Sequence, residues 1–137
     1  MAPRRPILLV LVLLALLVAG CGQSDDREQV RTVVTSFFDA VEAGDGQAAC
    51  EELSEETRSK LESEEQKPCR EAIASLSLEG GAPASVEVYI VSATADFPDG
   101  RRAFLSETQE GWRLSAAGCE AKSAEPYEEP LDCELED

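Results

Sequence analysis

Hydrophobic and polar positions along this chain fall into three regimes. Ile7 to Val18 is an unbroken apolar run. From Asp25 to Ala43 the apolar positions take a helical period. Val30, Val33, Val34, Phe37, Phe38 and Val41 stand at i, i+3, i+4, i+7, i+8 and i+11, which is one face of an amphipathic helix. Asp25 or Asp26 is expected to cap its start, answered by Glu28 or Gln29, and Gly44-Asp45-Gly46 to end it. A short helix is predicted over Gln47 to Leu53. Ser54 caps a second through about Glu62, and Pro68 opens a third with Cys69, Ile73 and Leu76 as its stripe, ending before Gly80-Gly81.

After Pro83 the period drops to two. Val86, Val88 and Ile90 alternate with Ser85, Glu87 and Tyr89, which predicts a strand with one buried face running to about Phe97, with a bulge near Ser92. Pro98-Asp99-Gly100 is a turn signal. A second strand follows over Arg101 to Thr108, a turn at Gln109-Glu110-Gly111, and a third strand over Trp112 to Ala116. The fold class is therefore α+β, with N-terminal helices packed on an antiparallel meander of about three strands. Gly118 to Asp137 is acidic and interrupted by Pro126 and Pro130, so an irregular tail is expected, with Tyr127 as its apolar anchor.

The Ile7–Val18 run changes the picture once its flanks are read. Arg4 and Arg5 precede it and Val18-Ala19-Gly20-Cys21 follows. This resembles the bacterial lipobox. The run is shorter than the about 20 apolar residues that a span needs. The resemblance implies export, cleavage before Cys21, a diacylglyceryl thioether on Cys21 and residence on the outer face of a cell membrane. Residues 1–20 are then signal peptide, 21–26 the lipidated cysteine and a tether of at most roughly 17 Å. Residues 27–118 are the α+β domain and 119–137 the acidic tail. Two or more acyl chains hold a protein on a bilayer where one holds only marginally.

The 137-residue precursor has 12 basic and 28 acidic side chains, a net charge of −16. Loss of Arg4 and Arg5 leaves 10 against 28, or −18. Such a chain has no basic stripe for phosphates, which sets nucleic acid aside as a partner. Its acidity is that of a solvated surface. There is no histidine, which excludes Ser–His–Asp and Cys–His catalysis and ordinary catalytic zinc. Beyond Cys21 there are four cysteines, Cys50, Cys69, Cys119 and Cys133. Exported cysteines pair by default. They lie in two groups, so Cys50–Cys69 and Cys119–Cys133 are the expected bridges, each stabilising by roughly 3 kcal/mol in the chain-entropy model. A four-thiolate metal site lacks its tight paired spacing here.

Phe37-Phe38-Asp39-Ala40-Val41, the Gly44-Asp45 and Ala48-Ala49-Cys50 that follow, and the late Gly111-Trp112-Arg113-Leu114 together resemble the nuclear transport factor 2-like (cystatin-like, SnoaL-like) superfamily. Small actinobacterial-type lipoproteins with one such domain look similar, including cysteines after the Gly-Asp element and after the last strand. The resemblance covers roughly residues 28–119 and implies a helix across a curved sheet around a cone-shaped cavity. The candidate lining of that cone is Val34, Phe37, Phe38, Val88, Ile90 and Trp112. An early strand common in the family is missing, which implies a small or shut cavity.

Enzymes of that superfamily set an Asp base and a donor in the cone, and here only Asp39, Tyr89 and Asp96 are available for such parts. Tyr89 lies on the polar face of its strand, Asp96 near a turn and Asp39 off the apolar stripe. Geometry precedes pKa in choosing a base, so the chain reads as non-catalytic, without cofactor or metal. The expectation is a membrane-anchored binding or interaction module for a small apolar ligand or another envelope protein. The alternatives are a ketosteroid-isomerase- or dehydratase-like enzyme, or a purely structural envelope protein.

Overall fold

A computed structural model describes residues 22–120 and 131–137; residues 1–20, expected as signal peptide, Cys21 and Tyr127 lie outside the described residues. Helix α1 (Gly22–Ala43) has 22 residues and is about 33 Å long. It buries Val30, Val34, Phe37, Phe38 and Ala40, with Val33 and Val41 packed against the same core. The helix begins earlier than its apolar stripe. Asp25 and Asp26 lie inside its first turns rather than capping it, where their charge favours the positive helix end. Gly22 to Asp26 is therefore helical, not an extended tether. Gly44 closes α1 at φ +71°. That left-handed conformation suits glycine, and it brings the Asp45 amide 2.8 Å from the Ala40 carbonyl.

Helix α2 (Gly46–Glu51) is capped by the Asp45 carboxylate, which accepts from the Ala48 amide at 3.0 Å. Helix α3 (Glu55–Glu65) is capped by Ser54 as its sequence predicts, and it buries Thr57 and Leu61. Helix α4 (Cys69–Ala72) continues into a 3-10 turn over Ile73–Ser75, with Pro68 in the cap position just before it. The Cys50–Cys69 disulfide joins α2 to α4. An added Cβ on Gly46 would stand 2.1 Å from the Arg70 carbonyl oxygen, so the two helices touch backbone to backbone there.

The sheet has five strands in the order β1-β2-β3-β4-β5, all antiparallel neighbours. They are β1 (Ser85–Val88), β2 (Ser92–Asp96), β3 (Arg102–Thr108), β4 (Gly111–Cys119) and β5 (Leu135–Glu136). The single strand expected over 85–97 is two: the chain reverses at Tyr89-Ile90-Val91, and Val88 pairs with Ala93. The inward positions change parity across that turn, from Val86 and Val88 to Ala93, Ala95 and Phe97. A bulge shifts parity by adding one residue; here a complete reversal does so.

The tail is not irregular throughout. Leu135 is buried, and β5 pairs with β4 through Ala116↔Glu136 and Ala117↔Leu135. The Cys119–Cys133 bridge holds it there. Leu135 is the apolar anchor among the described residues, and the expectation for Tyr127 lies outside them.

Helix α1 lies across the inner face of the sheet. Ala93, Ala95 and Ala103 are almost wholly buried, and Phe37 and Phe38 are buried in the same core. Each such aromatic contributes about 1.5–3 kcal/mol by leaving water. The free side of β4 is covered twice. Leu53 bridges to Leu114, with the Ser54 amide 2.8 Å from the Leu114 carbonyl, and β5 covers the remainder. Covered edges cannot recruit a foreign strand. The four-residue β1 forms the opposite edge.

Candidate functional site

The residues read as lining a cone pack together in or against the core, with the exception of Ile90. Val34, Phe37, Phe38 and Trp112 belong to one close-packed core, and Val88 packs against it half-buried. The Phe37 and Phe38 rings meet edge to face at 5.0 Å, and Phe38 meets Phe97 the same way at 5.1 Å. Phe38 also presses on the backbone of Gly80, where a Cβ would come within 2.1 Å of the ring. Ile90 is not with them. It stands at the tip of the β1–β2 turn, 91% exposed.

The three groups considered for acid–base work are likewise at the surface. Asp39 is exposed on α1. Asp96 accepts from Arg102 Nε at 2.6 Å and from Ser85 Oγ at 3.4 Å. The Tyr89 hydroxyl donates to Glu87 Oε2 at 2.9 Å, and that bond to a carboxylate raises the phenol's pKa. A phenol held protonated this way is a poor base. The carboxyl that burial perturbs is Glu52. Desolvation raises its pKa, the Arg113 guanidinium opposes, and the Glu51 charge adds to the rise. Glu52 escaped sequence reading because it sits in a run of glutamates. Its backbone carbonyl accepts from the Leu114 amide at 2.9 Å, so docking against β4 explains its burial.

Among the described residues no group of three or more His, Cys, Asp or Glu is placed to hold a metal ion. No described helix is long and apolar enough to cross a membrane. The surface hollows are open and mostly polar. One of about 440 Å³ lies between Glu79, Arg101, Glu120, Asp132 and Glu134. Another of about 560 Å³ lies between Glu51, Glu55, Glu56, Glu110 and Arg113. A third, about 310 Å³, runs along Phe38, Val41, Leu78 and Gly80.

Comparison with protein-family models, curated proteins and solved structures finds no match. The case for a function therefore stands on this chain's own chemistry.

The outer face of the sheet carries Glu87, Thr94, Asp96, Arg102, Phe104, Ser106 and Arg113, positions that alternate with the buried ones. It holds both charge signs and one half-buried aromatic, Phe104. The conspicuous apolar exposure is elsewhere, at Tyr89-Ile90-Val91. Sequence carried two marks of that tip: the parity change between Val88 and Ala93, and three large side chains in a row between them.

Proposed function

We propose that this chain is a lipid-anchored envelope lipoprotein whose extracytoplasmic domain, a reduced nuclear transport factor 2-like unit, is a non-catalytic interaction module. The pair of disulfides carries this reading. Both bridges sit at structural joints, Cys50–Cys69 between α2 and α4 and Cys119–Cys133 between β4 and the β5 segment. A small domain stapled in this way belongs in an oxidising compartment. Val18-Ala19-Gly20-Cys21 supplies the route to it and the anchor.

The packed core directs the choice of ligand. Val34, Phe37, Phe38 and Trp112 are buried together in one core, which favours recognition at the surface. The outer sheet face, with Phe104 two positions from Arg102, and with Arg113 paired with Ser106, suits an envelope protein better than a small apolar molecule. The perturbed Glu52 does not favour an enzyme, because its burial follows from its docking on β4.

The anchor is tested with labelled palmitate in the native host. The wild-type chain takes up label and Cys21→Ser does not; equal labelling of both overturns the reading. The interaction is tested with a photo-crosslinking residue at Phe104. A discrete crosslinked envelope protein is expected, and none at that position with crosslinks from an inner hollow would overturn the surface reading.

A further inference from the structure

Tyr89, Ile90 and Val91 are 56%, 91% and 61% exposed, and they are the large apolar side chains left in solvent among the described residues. Solvent-facing turns usually carry Gly, Asn, Asp or Pro for conformational reasons. This one carries none of them, and its Ile90 side chain contributes almost nothing to the core. The fold does not require these side chains, so their reason lies outside the folded domain.

Their position is informative. The Val91 carbonyl accepts from the Glu107 amide at 2.9 Å. Glu107 pairs with Trp112 across β3 and β4. The Trp112 indole N–H in turn reaches Asp26 Oδ1 at 3.5 Å. This row runs from the tip to the first turns of α1. Two strand spacings, the two side chains and the contact between them put its ends within roughly 20 Å of each other. The other end of α1 lies where Phe38 meets Phe97 and Gly80, at the far end of β2. The helix thus starts at the end of the sheet from which the tip projects. Gly22 lies a further 6 Å or so along the axis in that direction, and Cys21 is one residue beyond it, at about 3.8 Å.

We propose that the Tyr89-Ile90-Val91 tip is a second membrane contact, seated in the interfacial layer of the bilayer that holds the lipid on Cys21. This inference rests on the lipid-anchor reading above. Ile90 and Val91 supply apolar surface, and Tyr89 has the ring-plus-hydroxyl character that favours membrane–water interfaces. The surrounding charge sets the lipid class. Glu87 and Glu107 flank the tip, and Asp25 and Asp26 open the helix beside it. Anionic headgroups repel such an end, so the contact is shallow and selects zwitterionic lipid. Two contacts orient the domain where one tether would leave it to rotate. The β2–β3 turn at Asp99 and Gly100 then faces away from the membrane.

The test uses detergent-extracted, acylated full chain reconstituted in phosphatidylcholine vesicles with plain or brominated acyl chains. Ile90→Trp places a reporter at the tip without disturbing the core. Glu79→Trp is its control, since Glu79 is exposed beside Arg101 at the opposite end. Trp112 gives both variants a common background. The expected result is a blue shift and a loss of emission in brominated vesicles for Ile90→Trp, and neither for Glu79→Trp. Equal behaviour of the two variants, with the acyl mass present on the protein, overturns the tip contact and leaves the anchor standing. Absence of acyl mass overturns the anchor, and the tip contact with it. A blue shift of Ile90→Trp in native membranes without bromolipid quenching assigns the tip to a protein partner and overturns the lipid contact.

Discussion

Thr57 has no exposed surface, and its hydroxyl is shared between two elements. It lies 2.7 Å from Ser54 Oγ and donates to the Ser115 carbonyl at 3.1 Å, while the Thr57 amide donates to Ser54 Oγ at 3.1 Å. The capping group of α3 is thereby tied to β4. Thr57→Val keeps the shape and deletes the hydroxyl, leaving a buried carbonyl without that donor. A loss of about 1–3 kcal/mol is expected in denaturant unfolding, with no change of fold; a neutral substitution would mean that water replaces the hydroxyl.

Glu52 makes the complementary prediction. Burial raises its pKa in the folded state above the ordinary 4.5. The unfolded chain therefore gives up this proton more readily, and folding carries a penalty that grows as pH rises through 4.5 and is complete above the folded pKa. Glu52→Gln removes that penalty. It should raise Tm at pH 7, with the gain disappearing when the same scan is run below pH 4.5. A gain of equal size at both pH values would assign the effect to packing instead.

At the scale of elements, the Cys119–Cys133 bridge spans 14 residues and holds the β5 segment on β4. Replacing both cysteines by serine should cost about 3 kcal/mol and speed amide exchange at β5 and the end of β4. The β1–β3 amides should keep their protection, since their pairing does not pass through the tail. Uniform loss of protection would show that the tail is integral to the whole sheet.

How far these elements were legible follows from their physics. Helix α1 was readable because six apolar residues keep one period, and Ser54 because a capping serine before an acidic first turn has few other uses. Strand β5 was not. Two residues hold no periodicity, and the one apolar side chain that anchors it, Leu135, is surrounded by acids. The β1–β2 reversal was misread for the opposite reason, since Tyr89-Ile90-Val91 has strand composition in a turn. Gly46 reads locally as part of a helix stop, yet its lack of a side chain is what lets α2 meet the Arg70 carbonyl, a contact between residues distant in sequence.

For the whole molecule, one core joins the helices and sheet, and the candidate cone residues belong to that core apart from Ile90. The pocket reading failed at Ile90 because alternation alone cannot tell a continuing strand from a reversal. The chain's acidity, its two bridges and the apolar tip beside the start of α1 are properties of the surface and the joints, and the function proposed at the envelope surface accounts for all three.

Intact mass of the protein extracted from its native membrane in detergent, without reductant, tests the central claim most directly. The account predicts a chain beginning at Cys21, heavier by diacylglycerol with or without a further acyl group, and lighter by the four hydrogens that two disulfides remove. A mass that still contains residues 1–20 and carries no acyl group would contradict it.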